Sequence, residues 1–170
     1  MFLDESGAKT NMTRLRGRAM GGQRLIDDAP YGHWGVTTMI SSIRLDGDTA
    51  CMVIEGSTTG VVFREYVRHV LLPTLRPGDI VVLDNLSAHK DAAAIRLIQG
   101  VGAQVQPLPP YSPDLNPIEK MWSKIKEFLR AAKARIPKAL FNAIAAALKT
   151  VTPQDAVGWF TSCGYAASQG

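Results

Sequence analysis

The sequence predicts an α/β protein built on a mixed sheet, in the order β-β-β-α-β-α-β-α, with further helices at the C-terminal end. Three observations point there. The run Ile80-Val81-Val82-Leu83 is apolar at every residue, as expected of a strand covered on both faces. Two β-rich stretches, Trp34 to Leu45 and Thr49 to Ile54, flank the turn Asp46-Gly47-Asp48 and read as a hairpin. Segments of helical periodicity alternate with these short runs, the pattern of a layered α/β domain.

The elements follow in order. Met1-Phe2-Leu3 is an apolar half-strand ended by Asp4-Glu5-Ser6-Gly7. Lys9 to Arg24 is polar, basic and Gly-rich, and reads as a loop beside the Asp4 edge. After the hairpin, Ser57-Thr58-Thr59 offers caps for a helix in which Phe63, Tyr66, Val67, Val70 and Leu71 recur at helical spacing until Pro73. Ser87 is placed to cap a helix over about 88–99, ended by Gly100 and Gly102, and Ala103 to Leu108 forms another strand. A Pro-rich loop, 109–117, leads into a long helix with Ile118, Met121, Trp122, Ile125, Leu129 and Ala132 on one stripe. Past Pro137, an Ala-rich helix runs to about Lys149, and Thr152, Pro153 and Asp155 start one more. Residues 1–136 are expected to form one domain, with 137–170 a helical extension packed on it. Trp34, Trp122 and Trp159 lie in periodic apolar settings and are expected in the core.

At 170 residues, 46% hydrophobic and 20% charged, the chain suffices for one well-buried core. Its net charge of +4 hides a segregation. Residues 9–24 carry +5 and residues 120–138 carry +6, so the remainder is acidic. No apolar run approaches the ~20 residues of a membrane span, and no secretory signal pattern opens the chain, so a soluble cytoplasmic protein is expected. Cys51 and Cys163 stand far apart without metal-ligand spacing, which argues against a zinc site and a disulfide framework and leaves buried free thiols. The chain has no phosphate-binding Gly-x-x-x-x-Gly-Lys-Ser/Thr loop, which excludes a nucleoside triphosphatase of that class. A haloacid-dehalogenase-like site is also excluded, because Asp4 is followed by Glu5-Ser6 rather than x-Asp.

Carboxylates supply the candidate chemistry. Asp84 ends the apolar strand, and ligands of open α/β sheets gather outside strand carboxyl ends. If the strand of Asp4 is its parallel neighbour, the two carboxylates emerge side by side, and Glu119, in the first turn of the long helix, closes over the same edge. Taken singly, each acid also fits a plain turn or a helix-dipole role. Three clustered carboxylates repel one another unless a cation neutralises them, and an oxygen-only donor set suits Mg²⁺ or Mn²⁺. Two such ions would serve phosphoryl transfer.

Asp4 within Phe2-Leu3-Asp4-Glu5-Ser6, Asp84 within Val82-Leu83-Asp84-Asn85-Leu86-Ser87-Ala88-His89, and Glu119 closing Tyr111-Ser112-Pro113-Asp114-Leu115-Asn116-Pro117-Ile118-Glu119 resemble the Asp-Asp-Glu (DDE) transposases. The match is to the mariner-like superfamily in its bacterial insertion-sequence branch, with 34 residues between Asp84 and Glu119 and with Trp122 and Lys126 at the expected offsets. The resemblance covers nearly the whole chain. It implies a ribonuclease H-like fold, two Mg²⁺ (or Mn²⁺) ions held by Asp4, Asp84 and Glu119, cleavage at transposon ends and strand transfer into target DNA, preferentially at TA. It also implies a dimer. Asn85, His89 and Asn116 match motif positions, with packing or loop hydrogen bonding an equal reading for each. Glu5 is expected to point away from Asp4, by alternation along a strand.

On a helical wheel, Lys126, Arg130 and Lys133 fall on the flank of the long helix that carries Glu119, and they are expected to contact DNA phosphates, as are Arg16 and Arg18 in the basic loop. A solvated helix flank is the alternative. No helix-turn-helix is legible in the chain, so end recognition is expected from a helix-turn-helix protein or region encoded upstream. A competing function is an inactive remnant that only binds DNA or a partner subunit.

Overall fold

Five strands make one sheet in the order β3-β2-β1-β4-β5. They are β1 (Phe2–Ala8), β2 (Thr37–Ile43), β3 (Thr49–Glu55), β4 (Ile80–Leu83) and β5 (Gln104–Pro107). The structure is a computed structural model that describes residues 1–13, 21 and 35–165. The first three strands form an antiparallel meander, and β4 and β5 join it in parallel. This is the mixed sheet of a ribonuclease H-like α/β fold. The expected hairpin is present, with β2 and β3 paired from Thr37↔Glu55 to Ile43↔Thr49. Its turn needs Gly47, whose φ is +89° and where an added Cβ would lie 2.9 Å from the backbone nitrogen of Pro153.

Alternation along the strands sends side chains to two separate cores. Leu3, Ile40, Val81 and Leu83 pack on Phe63 and Tyr66 of α1 (Gly60–Tyr66) and on Ala94 and Ile98 of α2 (Ala92–Gly100). Phe2, Met39 and Ile43 face α3 (Pro117–Ala132), α4 (Pro137–Leu148) and α5 (Pro153–Ser162). Trp122 is 1% exposed at the centre of that second core, a burial worth about 3 kcal/mol. The capping box expected at Thr152 and Asp155 is formed. Lys124 of α3 reaches Asp155 Oδ2 at 2.5 Å and the Thr150 carbonyl at 2.7 Å, tying α3 to the start of α5.

Several elements differ from the sequence reading. β1 does not end at Asp4 but runs on to Ala8, because β2 pairs with it along its full length. The helix capped by Thr59 is α-helical only to Tyr66; it widens into a π-helical turn, Val67–Leu71, and tightens into a 3₁₀ turn, Leu72–Thr74, around Pro73, which has no N–H for the ladder. Ser87 caps nothing. Residues Ser87–Lys90 form a 3₁₀ turn, and α2 starts later, under Asp91, whose carboxylate accepts the Ala94 N–H at 2.8 Å and pairs with Arg64. Ile80 is half exposed, so β4 is covered on both faces only beyond its first residue. Ala132 lies exposed at the end of the α3 stripe. Cys163 is buried as expected, but Cys51 is only half-buried; both are free, and burial pushes the Cys51 thiol up to about 11. Trp159 is half-buried, and Trp34 lies outside the described residues. No described helix is long and apolar enough to cross a membrane.

Candidate active site

Register places the first two carboxylates together. β1 and β4 are parallel, with Phe2 opposite Val82 and Leu3 opposite Leu83. One residue further along each chain stand Asp4 and Asp84, where β4 stops and β1 continues against β2 alone. Asp4, Asp84 and Glu119 line one cleft of about 450 Å³, with Asn85 and Asn116 on the same wall. Glu119 is there because α3 starts at Pro117. Pro117 fixes φ and needs no hydrogen-bond partner at that position, so the chain turns into a helix immediately after Asn116.

Each Asp is held by a neighbour. Asp4 is 7% exposed; its Oδ1 accepts the Glu5 N–H at 2.8 Å and its Oδ2 accepts the Asn116 Nδ2–H at 3.1 Å. Burial, reinforced by the charges of Glu119, Glu5 and Asp84, pushes the Asp4 carboxyl up to about 7, despite the opposing backbone hydrogen bond. Asp84 Oδ1 takes both the Leu86 N–H, at 2.9 Å, and His89 Nδ1, at 2.6 Å. The His89 contact holds the Asp84 carboxyl below its ordinary value. Among the described residues Oδ2 of Asp84 has no partner.

His89 is fully buried, against the ring of Phe63 at 4.7 Å between centroids. Its Nε2 lies 2.9 Å from Glu5 Oε2, an ion-pair distance at an angle too poor for a hydrogen bond. Burial opposes its charge, but Asp84 and Glu5 outweigh burial and raise its pKa to about 9. Glu5 thus points away from Asp4, as alternation requires, and it faces an imidazolium that the sequence does not pair with it. A Glu next to a motif Asp and a His five residues past another were the only signal, and nothing in their spacing links them. Asn85 Nδ2 donates to the Leu108 carbonyl at 2.7 Å, bracing the two loops that follow β4 and β5.

The donor set is all oxygen, which fits a hard divalent cation in kind; Asp4 is raised first by burial and then by the like charges of Glu119, Glu5 and Asp84, and a cation would relieve that second part. As the side chains stand, no three His, Cys, Asp or Glu groups among the described residues close on one point. Glu119 is exposed and Asp84 half-exposed, so both have room to turn inward.

The basic residues divide. Lys126 and Arg130 are half-exposed, about two and three helical turns beyond Glu119, and make no hydrogen bond or ion pair among the described residues. Lys133 is exposed just past α3, in a left-handed conformation with φ +47°. Lys124 and Arg135 of the same stretch are spent on structure, Lys124 on Asp155 and Arg135 on the Thr10 and Met12 carbonyls. Arg16 and Arg18 lie outside the described residues. Tyr111, which opens the motif that Glu119 closes but was given no role by the sequence, lines the cleft fully exposed with φ +56°.

The family model described as "DDE superfamily endonuclease" matches residues 1–140. No curated protein matches the chain. The fold is similar to that of Mos1 transposase in a paired-end complex with the left transposon end, at 16% identity and a TM-score of 0.73, covering 95% of this chain and 51% of that one. It is similar to the Mos1 mariner paired-end complex with Mn, at 15% identity, a TM-score of 0.73 and coverage of 95% and 51%. It also resembles the catalytic core domain of BIV integrase, at 16% identity and a TM-score of 0.53, covering 75% of this chain and 88% of that one. The chain spans about half the length of the Mos1 chains.

Proposed function

The chain belongs to the DDE superfamily of endonucleases, and from that premise we propose that it is the catalytic domain of a mariner-like transposase of the bacterial insertion-sequence branch. It would cut DNA at transposon ends and join the freed 3′-hydroxyl to target DNA, at TA. The single observation that carries this is the meeting of Asp4, Asp84 and Glu119 on one cleft from β1, the end of β4 and the start of α3.

Each part of the site then has a task. Asp4, Asp84 and Glu119 would hold two Mg²⁺ or Mn²⁺ ions. Bound there, the pair would supply activation of the attacking oxygen and stabilisation of the leaving one. Asn116 holds Asp4, and His89 fixes Asp84 through Oδ1, leaving Oδ2 for the cation. Lys126 and Arg130 contact DNA phosphates and offset the repulsion between DNA and three acids. The Mos1 complex with Mn supports the choice of cation, and the paired-end complex supports a dimer that handles two ends together. Residues 1–136 act as the catalytic unit and 137–170 as its packed support.

Nicking of supercoiled plasmid tests the proposal. It should require Mg²⁺ or Mn²⁺ and be lost in Asp84→Asn and Glu119→Gln variants that still fold. Cleavage that persists in chelator, or that survives in Asp84→Asn, would overturn it.

A further inference from the structure

The cleft has two chemistries. Beside the acids part of its lining is apolar and open: Leu86, Pro109, Pro110 and Tyr111 are all exposed and all line it. Contiguous exposed apolar surface bordered by polar groups marks a binding groove, and none of these side chains helps to form either core. Tyr111 is the extreme case. Its side chain is 102% exposed, and its backbone holds φ +56°, a conformation that bulky residues rarely adopt. The surrounding loop enforces that conformation. Pro109, Pro110 and Pro113 restrict it, the Ser112 hydroxyl donates to the Pro110 carbonyl at 3.3 Å, and the Tyr165 hydroxyl pins the Leu115 carbonyl at 2.8 Å. Strain kept at a site edge, on a side chain that packs against nothing, fits a ligand contact rather than a folding role.

The geometry points to an unstacked DNA base as the occupant of this rim, with Tyr111 as the platform on which it stacks, beside the phosphate that the carboxylates address. This rests on the proposed function and specifies the form in which DNA enters. A phosphate backbone has no use for an apolar wall, whereas a base has an apolar face, and in a paired duplex that face is already covered by its neighbours. Aromatic stacking of a single base is sequence-tolerant and typically strong enough to shift affinity severalfold or more. The Leu86 and proline walls supply the rest of the enclosure.

The test compares fluorescence anisotropy of two labelled DNAs of one sequence, a fully paired duplex and a fork with a single-stranded arm, in Ca²⁺ to keep the DNA uncut. The wild-type chain should prefer the fork. Tyr111→Ala should weaken fork binding about fivefold or more while leaving the duplex nearly unchanged, and Tyr111→Phe should retain the preference. An iodouracil in the single-stranded arm should photo-cross-link to Tyr111. Equal binding of both DNAs by the wild type, a fork preference that survives Tyr111→Ala, or a variant that alters only the oligomeric state would overturn this inference alone. A wild-type chain that binds neither DNA would overturn the proposed function along with it. Because the side chain is fully exposed, Tyr111→Ala should melt with the wild type.

Discussion

Asp4 is a buried acid with like-charged neighbours, and the fold favours its protonated form. A group whose folded pKa is raised to about 7 from 3.8 takes up a proton on folding between those values, so its contribution to stability falls as pH rises through that window. His89 adds to the trend from the other side. Its pKa is raised from 6.5 to about 9, so the stability it confers is complete below 6.5 and is lost as pH rises through 9. Without divalent cations, the urea midpoint should therefore decline from about pH 4 to about pH 9; a flat profile would contradict both assignments. Asp4→Asn should abolish activity yet stabilise the metal-free protein at pH 8, by on the order of 2 kcal/mol, with little gain at pH 4. His89→Leu should have the opposite effect on stability, costing on the order of 3 kcal/mol by urea denaturation at pH 6, because it leaves Glu5 facing an apolar group and Asp84 without its donor.

At the scale of elements, α3 does two jobs on two flanks. The stripe of Ile118, Met121, Trp122, Ile125 and Leu129 is buried as its 3.6-residue period requires. The flank with Lys126 and Arg130 stays open. Lys126→Glu with Arg130→Glu should weaken DNA binding and lower the slope of log affinity against log salt by about 2, read from a salt titration; an unchanged slope would assign that flank to solvent. At the far end of the same core, the α5 start depends on Asp155 twice, as capping box and as partner of Lys124. Asp155→Ala should lower stability by about 1–2 kcal/mol in thermal denaturation. These features were legible because they are local. The periodicity of α3, the Thr152-Pro153 start and the turn at Gly47 each reside in a few adjacent residues. The late start of α2 was not, since Ser87 and Asp91 are both acceptable caps and the choice is made by Arg64, 27 residues earlier. The extension of β1 past Asp4 depends likewise on β2, a strand that lies beyond the basic stretch of the sequence. For the candidate site, Asp4, Asp84 and Glu119 could be singled out from their motifs, while the pairing of Glu5 with His89 and of Asn116 with Asp4 arises only when distant segments meet.

Across the whole molecule, the sheet separates two cores, and the cleft sits at the carboxyl end of β4. A cation bound there would favour the folded chain over the unfolded one in proportion to the logarithm of its concentration. Millimolar Mn²⁺ should raise the melting temperature of the wild type and leave that of Asp84→Asn nearly unmoved, as read by scanning calorimetry. Equal shifts in both would place the cation elsewhere.

The hydrogen bond from Asn116 to Asp4 joins residues 112 positions apart. During synthesis, β1 and the hairpin emerge early and can pair as they leave the ribosome, but the third acid and the amide that steadies the first arrive only with α3. A chain that ends between Asp84 and Asn116 holds two of the three carboxylates and lacks the amide, and one that ends before Asp84 holds Asp4 alone. Whatever the three acids do together is therefore withheld until the start of α3 has been made.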